Sequence, residues 1–425
     1  LRIDRTARLY PRHVKPQIDA ALRDTPVVVI VGPRQCGKST LAEQVAGELG
    51  ASEVTLDDAG RRAAANADPT GFIDQLELPA FIDEFQKAPA LLPAIKRRVD
   101  SGRRGGRRAA GMFLLAGSTN VWATLRISES LAGRAERIQL WPLSQGEILE
   151  RRERFIDGLL LGQVPRVTGA PIGRSAVSRA VVTGGYPEML ARDDARRRGR
   201  WARSYVDMVV ERDVRDLAAQ AQQLGELPHL LAAAAARVSG LLDTTELARD
   251  AKLKRDTASR YLTLLELLFL LRRTPAWSDN VGQRLIKAPK LHLTDSGLAC
   301  RLVGYDERRF ADERSPLSGA LFENFIACEL IKQAGFSDMD IDLLHYRTAA
   351  HSEVDLIIEG IDGALAGIEV KLGATVGERD FKGLRHLRDR VRERFQAGVV
   401  VHTGPETLPF GDRLWAVPAR GIWAD

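Results

Sequence analysis

Residues 32–40 read GPRQCGKST and match the spacing G-x-x-x-x-G-K-[ST]. Glycines in such a loop let successive backbone N–H groups converge on an anion, and the helix that follows adds the positive end of its dipole. The expected ligand is the phosphate tail of a nucleotide, enclosed by Gly32, Pro33, Arg34, Gln35, Cys36, Gly37, Lys38, Ser39 and Thr40. Lys38 would neutralise the β- and γ-phosphates, and Ser39 would coordinate Mg2+. Cys36 reads as a small filler inside this loop. FIDEFQ, residues 81–86, is an apolar run ending in two carboxylates. Asp83 would hold the Mg2+ through water, and Glu84 would orient and deprotonate an attacking water. That pair argues for hydrolysis of ATP rather than transfer to a small acceptor. In LLAGSTN, residues 114–120, Ser118 or else Asn120 would sense the γ-phosphate. Arg134, just before a fifth strand, could reach a phosphate in cis or in trans.

A second constellation lies near the other end of the chain. Glu323 falls in the helical run FENFIACEL, Asp355 in EVDLII, and Glu369 and Lys371 in IEVKL. Strand residues two apart share a face, so Glu369 and Lys371 project together, and Asp355 on an adjacent antiparallel strand can join them. This set resembles the PD-(D/E)xK nuclease constellation, with Glu353-Val354 in place of the proline. The resemblance implies Mg2+ at Asp355 and Glu369, supported by Glu323, with Lys371 positioning the water or stabilising the phosphorane.

These residues need elements to hold them. PVVVIVG (26–32) is a continuous β-branched run, as a strand buried on both faces should be. Strands are also expected at 52–58, 79–84, 111–118 and 135–143, with helices at 38–49, 60–77 and 88–100. Alternation of this kind predicts a parallel sheet built of βαβ units. Residues 200–275 read as all-α. Within them TTELARDA, KLK and RDTASRYLTLLELLFLL predict a helix–turn–helix capped by Asp243 or Thr244, with Arg255, Arg260 and Tyr261 on its outer face and RRTPAW as a wing. The last part returns to α/β, with strands at 290–295, 341–347, 353–360, 367–373 and 397–404.

Composition sets the outer limits. In 425 residues, 62 Lys and Arg against 56 Asp and Glu leave a charge of +6, and 44% of the chain is hydrophobic. That is ordinary globular usage and excludes a disordered, collagen-like or coiled-coil chain. Of the basic residues 51 are arginine, which suits phosphate contact but mostly reflects genomic base composition, so the balance permits DNA or another nucleic acid as partner without arguing for it. Cys36, Cys300 and Cys328 fit neither a zinc pattern nor a disulfide framework, which points to the reducing cytosol. No run approaches the roughly 20 apolar residues of a membrane span, so no membrane partner is expected.

GPRQCGKST, LPAFIDEFQ, AGS and ESLAGR, in this order, resemble a prokaryotic family of AAA-like P-loop ATPases with a C-terminal region of undefined function. GGYPEML, SYVDMVVERDV, KLHLTDSGLACRL and GALFENFIACEL are similar to it too, so the likeness runs from about residue 10 to 420. It implies an α/β fold with sheet order 5-1-4-3-2, and Glu84 as the catalytic carboxylate. The expected organisation is a lead-in (1–24), the ATPase domain (25–150), a helical lid with a winged helix (151–280) and a restriction-endonuclease-like domain (281–425). Two functions compete: an Mg2+-dependent ATPase driving a nucleic-acid-acting C-terminal domain, or a nucleotide-dependent switch that binds protein or DNA and cuts nothing. A homo-oligomer follows if Arg134 acts in trans.

Overall fold

The computed structural model describes residues 8–104, 109–118, 131–170, 173–210, 224–348 and 352–424. Asn120 lies outside them. The first sheet joins β1 (Val27–Val31), β2 (Ser52–Thr55), β3 (Ala80–Asp83), β4 (Phe113–Gly117) and β5 (Ala135–Gln139). All its pairings are parallel, in the order β2-β3-β4-β1-β5. That is the expected 5-1-4-3-2 order read from the other edge.

β1 is central, and its five residues are buried on both faces. Val27, Val29 and Val31 join one core with Ile82 and Leu115. Val28 and Ile30 join another with Phe81 and Leu114, under α1 (Lys15–Asp24) and α2 (Lys38–Leu49). Alternation along the strand therefore feeds two layers of helix. The helix expected at 60–77 is two, α3 (Ala59–Ala67) and α4 (Pro69–Asp74). Asp68 divides them: its carboxylate accepts the Gly71 N–H and Pro69 follows as the first helical residue. α5 (Leu91–Arg104) then leads to β4.

The middle region is helical, as expected, and includes α6 (Thr244–Asp250) and α7 (Arg255–Leu267). Asp243 caps α6 by accepting from the Thr245 and Glu246 N–H groups, which hold its carboxyl below the usual range. The segment expected as a wing forms β6 (Leu271–Thr274), whose partner is distant in sequence, β7 (Lys290–Leu293). The chain between them leaves to meet the C-terminal sheet. The Trp277 N–H donates to the His345 carbonyl at 2.6 Å, and the Trp277 indole donates to Glu359 at 3.1 Å. Hence KLHLTD, expected among the C-terminal strands, pairs with β6.

The second sheet is mixed, ordered β12-β13-β11-β10-β9-β8. Its members are β8 (Ile341–Arg347), β9 (Glu353–Gly360), β10 (Leu365–Val370), β11 (Phe395–His402), β12 (Leu408–Pro409) and β13 (Leu414–Pro418). α8 (Ser318–Ala334) is buried for most of its length and packs on β7, β8 and β10. A helix buried on nearly every side belongs in a protein interior, and its buried polar residues then need partners. Among the described residues no helix is long and apolar enough to cross a membrane.

Candidate functional site: a phosphate loop and a carboxylate cluster

The loop 32–37 leaves the carboxyl end of β1 and turns into α2. Gln35 (φ 58°) and Gly37 (φ 97°) are left-handed, and Gly37 begins α2 with no side-chain cap. The first N–H groups of α2 are thus available to an anion. Gly32 is obligatory for another reason: a Cβ there would lie 2.0 Å from the Leu140 carbonyl oxygen. Lys38 is only 7% exposed, and its ammonium donates to the Pro33 carbonyl at 2.8 Å. Cys36 is buried with its Sγ on the Leu140 carbonyl at 3.5 Å, a filler's position.

Asp83 ends β3 beside the Ser39 hydroxyl. Burial raises its carboxyl pKa, and Ser39 and Lys38 oppose that rise. Glu84 is left-handed at φ 54°, a conformation that costs a non-glycine residue on the order of 1–3 kcal/mol and clusters at functional sites. The turn aims its carboxylate back at β4. Oε2 accepts from Ser118 Oγ at 3.4 Å and from the Gln86 amide, which also donates to Ser118 Oγ at 3.1 Å. Gly117 makes room, since a Cβ there would meet Gln86 and Phe85 at 2.7 Å. Lys38, Ser39, Asp83, Glu84 and Ser118 are therefore gathered at one edge of one sheet. The residues fit Mg2+ and a nucleotide: a hydroxyl beside a carboxylate for the metal, a buried ammonium and uncapped N–H groups for phosphate.

Arg134 is not brought to this edge. Its carbonyl accepts the Val27 N–H at the amino end of β1, about 15 Å of strand from the loop. Its guanidinium grips Asp100 of α5 at 2.7 and 3.0 Å.

Two contacts on the loop had no local signal in the sequence. Arg12, from the lead-in, donates to the Cys36 carbonyl at 2.8 Å, the Trp141 carbonyl at 2.6 Å and Glu147 at 3.1 Å. The Tyr205 hydroxyl reaches the Arg34 carbonyl at 3.3 Å and pairs with the Tyr186 hydroxyl at 3.0 Å. GGYPEML gains a reason here: the Gly185 N–H donates to Asp295 of the TDSGL segment at 2.8 Å, and a Cβ on Gly184 would strike that carboxylate.

The phosphate loop is tied onward to the buried helix. Glu147, held by Arg12, closes a capping box with Ser144. Beside it the Gln145 N–H donates to Glu329 at 2.6 Å, and Lys332 bridges Glu329 at 2.7 Å and the Leu143 carbonyl at 2.9 Å. Glu329 and Lys332 lie on α8, which also carries Glu323.

The four C-terminal residues come together largely as their spacing implied. β9 carries one extra residue against β8 (Leu344 faces Ile357, Tyr346 faces Val354), and this bulge lies at Asp355. Asp355 Oδ2 accepts the Val370 N–H at 2.9 Å, and Lys371 Nζ lies 2.8 Å from Glu369 Oε1. Burial, with Asp355 nearby, raises the pKa of both Glu323 and Glu369. The unforeseen member is Lys290 of β7, 2% exposed. Its Nζ is 2.8 Å from Asp355, 2.9 Å from Glu323 and 3.2 Å from Glu353. Burial opposes its charge, but Asp355 and Glu323 outweigh that and raise its pKa. As a divalent-ion site the cluster does not fit, because an ammonium already stands between its carboxylates. Among the described residues no group of three or more His, Cys, Asp or Glu is arranged to hold a metal ion.

The helix–turn–helix places Arg255 and Arg260 on the surface as expected, but Tyr261 is 3% exposed. It shares the inner face with Ala258, Leu262 and Leu265 at helical spacing.

Residues 24–149 match the family described as "AAA domain". Residues 174–309 and 318–422 match two described as "Domain of unknown function", DUF8612 and DUF4143. Uncharacterized protein Mb2031c of Mycobacterium bovis and Uncharacterized protein Rv2008c of Mycobacterium tuberculosis are each 30% identical over 413 residues, 97% of this chain and 84% of theirs. Among solved structures, the Walker-type ATPase PABY2304 of Pyrococcus abyssi covers 70% of this chain and 97% of its own, at 15% identity and a TM-score of 0.42. The chain belongs to the same family as the two mycobacterial proteins, and its residues 24–149 match the AAA domain.

Proposed function

We propose that this protein is an Mg2+-dependent ATPase that hydrolyses ATP to ADP and phosphate and passes the state of its phosphate loop to the regions that follow the AAA domain, which contact nucleic acid. The observation that carries the first half is the set at the edge of the first sheet: Ser39 on Asp83, with Glu84 held by Gln86 and Ser118. Gly32 to Thr40 would enclose the phosphates, and Ser39 and Asp83 would hold the Mg2+, which supplies charge screening. Glu84 orients a water and takes its proton, while Ser118 and Gln86 fix the angle of its carboxylate. Arg134 is about a strand's length from its own phosphate loop, so a catalytic role for it requires a second copy of the chain.

The second half rests on charge. Lys252, Lys254, Arg255 and Arg260 are exposed around the turn and the start of α7, with the Asp243 carboxylate within electrostatic reach of Arg255. Exposed basic residues there suit a phosphate backbone. Of the two forms of this reading, the switch with a non-cleaving C-terminal domain is favoured by Lys290 within the carboxylate cluster.

Phosphate release from ATP, followed against Mg2+ concentration, tests the reading. Wild type should turn over, and Asp83→Asn should need far more Mg2+. Duplex DNA should raise the wild-type rate and leave that of Lys254→Glu/Arg255→Glu unchanged. No release at any Mg2+ concentration contradicts the ATPase reading, and release indifferent to DNA contradicts the nucleic-acid reading.

A further inference from the structure

We infer that Lys290 is the resident cation of the C-terminal carboxylate cluster, so that residues outlining a metal-dependent nuclease centre are closed to divalent ions and this domain does not cleave phosphodiesters by metal assistance. An ammonium has three N–H donors and no acceptor. Here three carboxylate oxygens, on Glu323, Glu353 and Asp355, lie within 3.2 Å of Nζ, and those of Glu323 and Asp355 accept hydrogen bonds from it. The other Asp355 oxygen is taken by the Val370 N–H, and one Glu369 oxygen by Lys371. Of the four oxygens that would ligate a metal at Asp355 and Glu369, three already accept a hydrogen bond, and Glu369 Oε2 is buried without one. A divalent ion wants six or more oxygens and would stand against a like charge at contact distance.

Lys290 is also held in place by its strand. One edge of β7 pairs with β6, from Thr274 opposite Lys290 to Leu271 opposite Leu293. On the other edge, the Leu291 N–H donates to the Gly240 carbonyl at 2.9 Å, the Ser239 N–H to the Leu291 carbonyl at 2.7 Å, and the Leu242 N–H to the Pro289 carbonyl at 2.8 Å. Withdrawing the lysine with its strand would break both ladders, and its side chain is enclosed on every side. The ammonium is thus a fixed part of the core. It staples a strand of the middle region to α8 and β9, which supply Glu323 and Asp355. The inference stands independently of the ATPase reading, because it concerns the other end of the molecule.

Uptake of Mn2+ by the nucleotide-free full chain, read from loss of the free-ion EPR signal, tests it. Wild type and Asp355→Asn should bind the same amount of Mn2+. Lys290→Met should melt at a lower temperature, take up one additional Mn2+, recover part of its melting temperature with it, and lose both gains when Asp355→Asn is added. Mn2+ uptake by wild type that Asp355→Asn abolishes would overturn the inference, as would a Lys290→Met protein that melts like wild type. If Lys290→Met does not fold, wild type against Asp355→Asn decides alone.

Discussion

Lys38 and Lys290 are both nearly buried lysines close to acidic residues, yet their surroundings have opposite signs of demand. Lys38 is held by a neutral carbonyl, next to uncapped helix N–H groups, so positive charge there is in excess and calls for an anion. Lys290 is held by three carboxylates, so negative charge there is already answered. The same residue types, Lys, Asp and Glu, therefore give one cluster that fits phosphate and metal and another whose negative charge is answered from within. What separates them is the partner of the lysine, and that partner is set by tertiary placement.

The comparison breaks if the two lysines respond alike to removal. Lys290→Met should lose about 3–5 kcal/mol in urea unfolding, because it strands buried carboxylates without their cation. The more exposed Lys371→Met should lose less than about 1 kcal/mol. Lys38→Met should keep a stability close to wild type while phosphate release falls by about 100-fold or more, the scale of losing a positioned charge stabiliser. A Lys38→Met protein as destabilised as Lys290→Met would mean that both lysines are structural.

Arg12→Met sharpens the phosphate-loop side. It removes three hydrogen bonds that pin the loop to the segment after β5, and nucleotide affinity should fall on the order of tenfold in a fluorescence titration. Unchanged affinity would make the brace irrelevant to binding.

A further test concerns pH around the second lysine. Burial pushes His292 down to about 3, with Lys290 and Arg272 adding to the shift. The unfolded chain then binds the extra proton. The neutral imidazole's contribution is complete above about pH 6.5 and is lost as pH falls toward 3, by about 1.4 kcal/mol per pH unit. Between pH 7 and pH 5 the melting temperature of wild type should fall more than that of His292→Gln. Parallel curves would contradict a neutral His292 at that place.

The legible parts were those with local chemistry. The loop glycines, Lys38, Ser39, Asp83 and Glu84 are each specified by neighbours within a few residues, and the alternating strands and helices announced the parallel sheet. Glu369 and Lys371 were placed correctly by strand periodicity alone. What escaped came from far along the chain. Arg12 meets Cys36, Trp141 and Glu147, and Lys290 meets Glu323 and Asp355, across separations that no local pattern encodes. One signal for Lys290 was present: a lysine inside KLHL, a strand buried at every position, must have charged partners. Tyr261 was misjudged because the apolar stripe of α7 begins at Ala258, a turn earlier than the leucine run suggests.

The most direct test of the account is single-turnover phosphate release by wild type and Glu84→Gln, with Mg2+ and ATP binding measured on the same samples. The account predicts that both proteins bind ATP with similar affinity and that release by Glu84→Gln falls by about 100-fold or more. Equal release by the two proteins would contradict the assignment of Glu84, and with it the chemistry given to this edge of the sheet.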